Sequence, residues 1–383
     1  MKYPLFKVQI NSKQALKNIE GVFASGFINE GEQVLQLEKG LSRTLKAKNL
    51  TLVNSCTSAL TIALRIIGVG KGDEVITTAM TCVATNIVIL NTGAKIIWAD
   101  IDIDTGMISA SDVEKKITPK TKAIMVVNWA GTPCDLESFE RISKEYEIPV
   151  VQDAAHAFGA LYKNRPIADF TDFTCFSFQA IKHFTTGDGG AIVCKKDVDA
   201  TLARKLKWFG YDRDSVKDSK GEWKGQKWDA DIKSEEAGYK FNMNNMSAAV
   251  GLANLPNVQS VLDIHRNNAK IIREIIKDHK RVVLLDSNES NTSSYWVYTL
   301  RLRVNEGERD QVMSNLNSNG IGAGLVHLPN YVYSAFKEFQ SDLPNNNLFA
   351  KTQISLPCGW WLKSRDMELI AQTFLAELDN LDD

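Results

Sequence analysis

Short apolar runs rich in β-branched residues alternate with helical patterns between about residues 50 and 195, and this alternation limits the fold more than any other feature. After the first run, Leu60, Ala63 and Leu64 lie on one face of a predicted helix. Several runs are apolar on both faces, as strands covered by helices on each side must be. The alternation therefore predicts an α/β fold with an open, mostly parallel sheet. The runs are NLTLVNS, EVITTA, KIIWAD, KAIMVVNW, IPVVQDA, FTCFSF and AIVCK.

The pattern changes after about residue 210. A helical region is predicted over 247–278, and the run SSYWVYTLRLRV then alternates as a half-exposed strand that turns Arg301 and Arg303 towards solvent. A chain of 383 residues is long enough for two domains. We therefore predict a large domain over 1–250 and a smaller α+β domain over 251–383, joined by the long helix.

Composition excludes several classes of protein. The net charge of −1 provides no basic field for a nucleic acid, and no apolar run reaches the roughly 18 residues that cross a bilayer. The six cysteines are scattered without a CxxC pair, which argues against a zinc site and a disulfide scaffold. We therefore expect a cytoplasmic protein with reduced thiols and without a metal, a nucleic acid partner or a membrane.

Polar residues follow three of the predicted strands, at the sheet edge where α/β proteins bind ligands. In VNSCTSAL, the turn between strand and helix is formed by Ser55, Cys56, Thr57 and Ser58. Main-chain N–H groups at a helix N-terminus, together with small hydroxyls, suit a phosphate. The same residues can cap the helix without binding any ligand, and this turn taken alone favours the cap.

The second polar group is Asp153 in VVQDAAHAFG. A carboxylate that follows a buried strand must be paired or hydrogen-bonded. A metal site and a buried helix cap are both open interpretations, and His156 is the one nearby companion that could act as a ligand. Since no further ligands stand at regular spacing, this stretch alone favours the cap.

The third group is Lys182 in FSFQAIKHFTTGDGGAIV, just past an apolar strand. Enclosure lowers the pKa of a lysine and makes its amine a nucleophile for an aldehyde. The alternative is an exposed loop lysine, which is the commoner fate of this residue type. Together, a phosphate site, a buried acid and a reactive amine are the contacts that pyridoxal 5′-phosphate (PLP) needs. Dinucleotide, P-loop and GxSxG motifs are missing from the sequence.

Three motifs carry a resemblance to a known family: QDAAHAFG, FSFQAIKHFTTGDGGAIV and GYKFNMNNMSAAVG. Together they resemble the DegT/DnrJ/EryC1/StrS family of PLP-dependent sugar aminotransferases. The resemblance implies a fold-type I transferase, with a mostly parallel sheet of the seven-stranded type in the large domain and a smaller α+β domain at the C-terminus. It also implies a homodimer with shared active sites.

The resemblance assigns roles by position. Lys182 matches the lysine that binds the cofactor covalently, Asp153 matches the acid at the pyridine nitrogen, and His156 matches a neighbour of the phenolic oxygen. The phosphate ligands match Thr57, Ser58 and Ser177, with Asn242 reaching the phosphate from the partner subunit. Two further cofactor contacts are implied at Cys56, in the phosphate turn, and at Cys82, where many relatives place an aromatic ring.

The resemblance indicates the substrates only in outline. An amino group would pass from glutamate or glutamine to a keto- or aldehydo-sugar of cell-surface polysaccharide or lipopolysaccharide synthesis. The acceptor would be a nucleotide-linked keto-deoxyhexose or the C8 aldehyde of a 3-deoxy-octulosonate. Two alternatives are a sugar dehydratase of the same family, in which histidine replaces the lysine, and an inactive sensor or scaffold with this fold. The candidates for substrate contacts are His183, Arg213, Tyr239, Lys240 and His327.

Overall fold

The protein forms the predicted α/β architecture in a computed structural model that describes residues 1–211, 232, 237–285 and 290–382. A seven-stranded sheet has the strand order β1-β9-β8-β5-β4-β2-β3. Its strands are β1 Leu50–Val53, β2 Glu74–Thr78, β3 Lys95–Ala99, β4 Thr121–Val127, β5 Val150–Asp153, β8 Phe173–Ser177 and β9 Gly190–Cys194. The short strands β6 Leu161–Tyr162 and β7 Arg165–Pro166 form a separate hairpin.

The sheet is mostly parallel, as the alternation predicted. Strands β2, β3, β4, β5 and β8 pair in parallel, whereas β9 runs antiparallel to both β1 and β8. Strands β1, β2, β5, β8 and β9 are buried along their whole length. One apolar cluster includes Leu52, Ile76 and Ile124, and a second includes their neighbours Val53 and Val75. Successive strand residues point to opposite faces, so the two clusters cover both faces of the sheet.

Helices connect the strands and end at recognisable caps. Ser55 caps one helix by accepting a hydrogen bond from the Ser58 N–H at 3.0 Å, and Gly68 ends it at a φ of 76°. Asp135 caps another through the Ser138 N–H. The helices in this part are α1 Ser12–Ser25, α2 Glu32–Leu45, α3 Cys56–Ile67, α4 Val83–Leu90, α5 Ala110–Lys115, α6 Leu136–Tyr146 and α7 Asp197–Leu206.

The predicted long helix is interrupted. A 3₁₀ turn at Leu255–Asn257 separates α8 Asn245–Asn254 from α9 Val258–Ile276. Pro256 lies inside this turn and has no N–H for a helical hydrogen bond, so the regular ladder cannot run through it. The helical region exists as predicted, but it consists of two segments rather than one.

A second sheet lies in the C-terminal part, with strand order β10-β11-β12. All its pairings are antiparallel, and a third apolar cluster lies around it. Tyr3 joins this cluster and bridges to Ile321, so the N-terminal segment packs on the C-terminal part. Placement of the domain boundary at residue 250 stays a prediction. The remaining elements are β10 Val282–Leu284, β11 Tyr298–Leu302, α10 Glu306–Ser318, α11 Pro344–Thr352, β12 Gln353–Leu356 and α12 Ser364–Asp379.

The prediction that Arg301 faces solvent is wrong. Every residue of β11 is buried, and Arg301 is 9% exposed. Strand β11 is the central strand of its sheet, and α11 packs against it, so its second face is covered as well. Arg303 follows the end of the strand and is exposed as predicted.

Among the described residues, every helix is too short or too polar to cross a bilayer.

Candidate active site

Three strand ends bring the predicted site residues to one edge of the large sheet. Asp153 is the last residue of β5 and Ser177 is the last residue of β8, and these two strands are parallel neighbours. Strand β1 ends at Val53, and the turn after it leads into α3. These three groups lie on separate stretches of the sequence, and the sheet brings them to one edge: β5 and β8 are adjacent, and only β9 lies between β8 and β1.

The turn before α3 is built from mutually bonded hydroxyls. The Ser58 Oγ lies 2.6 Å from the Asn54 Oδ1 and 2.9 Å from the Ser55 Oγ, while Thr57 is half-buried. The Ser177 hydroxyl is buried at the neighbouring strand end. These bonds confirm that Ser55 caps the helix. The cap occupies the Ser58 N–H, and the earlier N–H groups of the first turn have no acceptor within the helix, so a capping role and an anion site are compatible here.

Gly190 allows β9 to pass directly against this turn. A Cβ at this position would lie 2.5 Å from the Cys56 nitrogen and 2.5 Å from the Ser55 carbonyl carbon. Real side chains do not approach backbone atoms so closely, so only glycine fits. Within the glycine cluster after Lys182, Gly190 therefore serves the packing of the turn before α3, a role that its sequence did not reveal.

Asp153 is 5% exposed and held in one orientation. Its Oδ2 accepts a hydrogen bond from the Thr85 hydroxyl at 2.7 Å, and its Oδ1 accepts one from the Ala155 N–H at 3.0 Å. Burial raises the pKa of the carboxyl group, while both hydrogen bonds and the Lys182 amine act in the opposite direction.

The described residues contain no cluster of three His, Cys, Asp or Glu side chains suited to a metal ion.

Lys182 brings its amine into an enclosed space beside this carboxylate. The Nζ atom lies 3.5 Å from the ring centroid of Trp296. Burial lowers the pKa of Lys182 to about 8, and Asp153, Cys82 and Cys56 oppose that shift. An amine with this pKa is partly neutral near pH 8, which is the state that attacks an aldehyde. The prediction of an enclosed lysine is therefore supported over that of an exposed loop lysine.

His156 and His327 lie side by side in the same space. Their ring centroids are 5.7 Å apart, and the His156 ring stacks on Trp296 at 4.0 Å. The His156 Nδ1 and the His327 Nε2 are buried atoms without a hydrogen-bond partner among the described residues. Burial lowers the pKa of His156 well below its usual value and that of His327 to about 4. Both rings are therefore neutral and free to bond a ligand.

His183 makes different contacts from Lys182, although the two are adjacent in sequence. Its Nε2 lies 2.8 Å from the Ser294 carbonyl oxygen, so this nitrogen donates, and its ring packs 4.7 Å from that of His265. Burial lowers the pKa of His183. These are the contacts of a packing residue, and a substrate role for His183 stays a prediction.

Asn242 lies beside the turn before α3 of its own chain, where it bridges to Val53. Its Nδ2 donates to the Asn29 Oδ1 at 3.0 Å, and its Oδ1 accepts from the Lys240 amine. Lys240 also places its amine 3.9 Å from the Trp208 ring. The role predicted for Asn242 at a partner's phosphate stays a prediction.

The other predicted contacts lie around these groups. Tyr239 stacks on Phe241 with centroids 4.5 Å apart. The Cys56 thiol is buried 3.9 Å from the Asp153 Oδ1, and burial raises its pKa. Cys82 caps α4 and is half-buried. Arg213 lies outside the described residues.

Sequence reasoning missed three residues of this site. Thr85 holds Asp153, and its position one helical turn after Cys82 could have suggested this contact. Trp296 was assigned only to an alternating strand, and nothing in its neighbourhood marks it as a site residue. Trp129 lies with its ring edge-on to His327 at 6.0 Å, and its buried Nε1 has no partner within the described residues.

A surface cleft of about 660 Å³ lies away from this site. Asp102, Glu137 and Arg141 are among its lining residues, and none of the predicted site residues lines it. It is larger than many ligand pockets. The described part of the cleft, however, lacks the enclosed amine and buried acid that distinguish the edge of the sheet.

Comparison with known proteins identifies the class to which this fold and site belong. The model of the DegT/DnrJ/EryC1/StrS aminotransferase family matches residues 9–375. The chain therefore belongs to this family of PLP-dependent sugar aminotransferases.

Individual relatives match along nearly the whole chain. The spore coat polysaccharide biosynthesis protein SpsC of Bacillus subtilis is 29% identical, with 92% of this chain and 91% of SpsC covered. The sugar aminotransferase CalS13 of Micromonospora echinospora superposes with a TM-score of 0.89 at 30% identity, covering 98% of this chain and 100% of CalS13. The putative sugar aminotransferase Spr1654 of Streptococcus pneumoniae, in its PMP form, has a TM-score of 0.89 at 29% identity, with 98% and 99% covered.

The cofactor of the family is PLP, and the residues at the sheet edge fit it. A helix N-terminus with hydroxyls suits the phosphate, and the buried Asp153 suits a ring nitrogen. The unpartnered Nδ1 of His156 leaves one buried polar atom free for a ring substituent. The enclosed amine of Lys182 supplies the group that an aldehyde requires.

Proposed function

We propose that Lys182 holds PLP through its amine and that Asp153 pairs with the ring nitrogen. Thr57, Ser58 and Ser177 bind the phosphate, and His156 bonds the phenolic oxygen. When bound, PLP supplies an aldehyde that receives an amino group and a ring that withdraws electrons. The observation that carries the proposal is the presence of an enclosed Lys182 amine, 3.5 Å from the Trp296 ring, and a buried Asp153 carboxylate at the same edge of the sheet. The charge of each group acts on the pKa of the other.

The chain's own residues can perform the proton transfers of transamination. A Lys182 amine with a pKa of about 8 exchanges a proton readily near neutral pH. It can therefore take a proton from the α-carbon of the amino donor and donate it to the carbon that carries the aldehyde in PLP. Asp153 favours a protonated ring nitrogen because a negative charge beside that atom raises its pKa. The aromatic side chains around the amine exclude water from these steps.

The amino donor is proposed to be glutamate or glutamine, and the acceptor a keto- or aldehydo-sugar. Trp129, Trp296 and the two neutral histidines form a wall with apolar surface and free polar atoms, which suits a sugar ring with its hydroxyls. The similarity to a spore coat polysaccharide protein supports a role in cell-surface polysaccharide or lipopolysaccharide synthesis. Nucleotide-linked keto-deoxyhexoses and the C8 aldehyde of a 3-deoxy-octulosonate are the two acceptor classes.

Two other activities are less well supported. A dehydratase of this family would carry histidine in place of Lys182, and the enclosed amine argues against that exchange. A scaffold would have no need for a lysine whose pKa burial holds about two units below that of an exposed one.

The decisive experiment follows the cofactor through one half-reaction at a time. Purified protein is loaded with PLP and mixed with glutamate or glutamine, and the absorbance should change from that of bound PLP to that of pyridoxamine phosphate. Adding each acceptor class should then restore the first spectrum for one of them and yield an aminated sugar in the mass spectrum. A spectrum that no donor changes would contradict transamination, as would a Lys182 peptide left unlabelled after borohydride reduction.

A homodimer is proposed from the apolar surface beside the phosphate turn. Phe27, Ile28 and Phe209 are 72%, 48% and 42% exposed. They lie on neighbouring segments, because the Asn29 side chain bonds Asn242 and the Phe209 N–H donates to the Tyr239 carbonyl oxygen. A contiguous apolar surface of this kind marks an interface, and a twofold contact here would place the two sites beside each other.

Mixed subunits test the shared site. If Asn242 of one subunit serves the lysine of the other, equal amounts of Lys182→Ala and Asn242→Ala subunits should recover about a quarter of the activity, since half of the dimers carry one intact site. No recovery would contradict a shared site.

Phe27→Glu should separate the subunits in light scattering, and Leu16→Glu, which charges an exposed residue of α1, serves as the matched control.

The cysteines support a cytoplasmic location. All six are free, and five of them are buried. Buried thiols without disulfides are typical of proteins that work in a reducing compartment.

A further inference from the structure

Trp296 is held in place by two main-chain contacts from the large sheet's loops. Its own N–H donates to the Ala130 carbonyl oxygen at 2.7 Å, and its indole Nε1 donates to the Ile181 carbonyl oxygen at 2.9 Å. The residue is 3% exposed. A tryptophan bonded at both its backbone and its ring has little freedom to move, so the position of the ring relative to Lys182 is determined by the fold.

The ring of Trp296 is surrounded by other rings. Phe6, from the N-terminal segment, stacks on it with centroids 4.7 Å apart, and His156 stacks on it at 4.0 Å. The segment that carries Trp296 is tied down further by the Ser294 N–H, which donates to the Gly131 carbonyl oxygen at 3.0 Å. The indole is therefore a fixed surface and not a mobile side chain that happens to lie near the lysine.

Lys182 places its amine on this surface. The distance of 3.5 Å between Nζ and the ring centroid is well within the roughly 6 Å at which a cation is attracted to an aromatic face. Within the described ranges, the amine has neither a hydrogen-bond acceptor nor a carboxylate at ion-pair distance. The ring thus contacts the amine directly and stabilises the ammonium, in addition to the coulombic effects of Asp153, Cys82 and Cys56.

We infer that Trp296 is a positioning residue that holds the Lys182 ammonium whenever the amine is not bonded to the cofactor. This inference rests on the proposed function of Lys182 and adds a part that the roles implied by the family resemblance do not include. In transamination the lysine must leave its bond to the cofactor, act on the substrate and return. A ring that binds the charged amine keeps it within reach during this interval.

Two opposing effects act on the lysine. Burial lowers its pKa to about 8, whereas the π face of an indole favours the charged form. Removing the quadrupole of the ring without changing its shape should therefore lower the pKa further. Other titratable groups around the amine stay unchanged in such an experiment: Asp153, Cys56, Cys82, His156, His183 and His327.

The test replaces Trp296 site-specifically by tetrafluorotryptophan, which has nearly the same shape but a much weaker π face. Cofactor-free protein is acetylated over pH 6.5 to 10, and labelling of the Lys182 peptide is read by mass spectrometry against the exposed Lys144. The pKa of Lys182 should fall by about half a unit to one unit. At pH 7 its labelling should rise about two- to five-fold, because more of the amine is neutral.

Substitutions by standard amino acids and a matched control complete the test. Trp296→Phe keeps a π face, so the pKa of Lys182 should stay at the value of the parent protein. Trp296→Leu has no π face, so the pKa of Lys182 should fall and PLP should be captured more slowly in borohydride trapping. Trp360→Leu is the control. Like Trp296, Trp360 donates its indole N–H to a main-chain carbonyl oxygen, that of Lys7, and contacts the N-terminal segment, but it is not in contact with Lys182.

An unchanged or raised pKa in the fluorinated protein would overturn the inference. That result leaves the proposed function intact, since borohydride labelling of Lys182 in the parent protein tests the cofactor bond separately. Conversely, a parent protein in which borohydride leaves Lys182 unlabelled would end the proposed function even if the ring shifts the pKa.

Discussion

The two sides of the active site are built in different ways. One side, which we call the floor, consists of Thr57, Ser58, Asp153 and Ser177, and all four lie at or just after strand ends of the large sheet. The other side, the aromatic wall, consists of Trp129, His156, Trp296 and His327. The floor is polar and comes from the ends of β1, β5 and β8 at one edge of the sheet, whereas the wall is assembled from four separate stretches of the chain.

This difference separates two tasks. The floor offers a helix N-terminus and a carboxylate, which suit the charged parts of PLP, the cofactor of the family. The wall offers neutral rings with free nitrogens: in the proposed site His156 bonds the phenolic oxygen of the cofactor, while Trp129 and His327 are left for the sugar. We therefore expect changes in the floor to lower the rate of chemistry and changes in the wall to alter substrate binding. Lys182 belongs to both sides: it follows β8, the strand that ends at the floor residue Ser177, and its amine contacts Trp296 of the wall.

Lys182→Ala should have the largest effect. Without the amine, both the covalent attachment of PLP and the proton transfers are lost, and kcat should fall by about 10³-fold or more. Stopped-flow absorbance with the amino donor measures this loss. A variant that turns over at the parent rate would remove the lysine from the mechanism.

Asp153→Asn should be the next most severe change. Loss of the charge opposite the ring nitrogen should lower kcat by about 10²-fold, while PLP still binds through Lys182. Thr85→Val removes only the hydrogen bond that orients the carboxylate and should cost about ten-fold. If the two variants lost equal activity, orientation rather than charge would be the function of Asp153.

Lys182→Met should stabilise the cofactor-free protein at neutral pH. The folded pKa of Lys182 is about 8 and the unfolded one about 10.5, so below pH 8 the buried charge lowers the free energy of unfolding by up to about 3 kcal/mol. This cost decreases as the pH rises from 8 to 10.5, because the folded state loses its proton first. Urea unfolding at pH 7 and pH 10 should show a gain of roughly 1–3 kcal/mol that shrinks at the higher pH. A pH-independent gain would argue against a buried ammonium.

His327→Phe should affect the wall alone. The variant keeps a ring but removes the unpartnered Nε2, so KM for the sugar should rise about ten-fold while kcat changes by less than about two-fold. His279→Phe, which removes a half-buried histidine that bonds Asp379 in the C-terminal part, is the control. A fall in kcat without a change in KM would place His327 in the chemistry instead.

His183→Asn should have the smallest effect. Its imidazole bonds the Ser294 carbonyl oxygen and packs on His265, so we expect a loss of about 1 kcal/mol in the free energy of unfolding. Thermal unfolding and steady-state kinetics on the same preparation separate the two roles. A raised KM with unchanged stability would restore His183 as a substrate contact.

The floor residues and the two histidines of the wall were candidates from the sequence, whereas the two tryptophans of the wall, Trp129 and Trp296, were not. Strand periodicity places Asp153 and Ser177 at strand ends, and parallel strands present those ends at one edge. Trp296 follows no such rule, because its place depends on how residues 292–296 run between the Gly131 loop and the Lys182 loop. Arg301 was misplaced for a related reason: alternation indicates two faces of a strand, but only the packing of α11 shows that both are covered.

The amino-acid sequence by itself determined the fold class, the buried acid and the lysine at the strand exit, because periodicity and local capping act over a few neighbouring residues. Tertiary structure alone decided which rings surround the lysine and how far burial lowers its pKa. Trp296 and His327 lie more than a hundred residues from Lys182 along the chain, and even Asp153 and His156 lie more than twenty away. A local pattern carries no information about contacts over such distances.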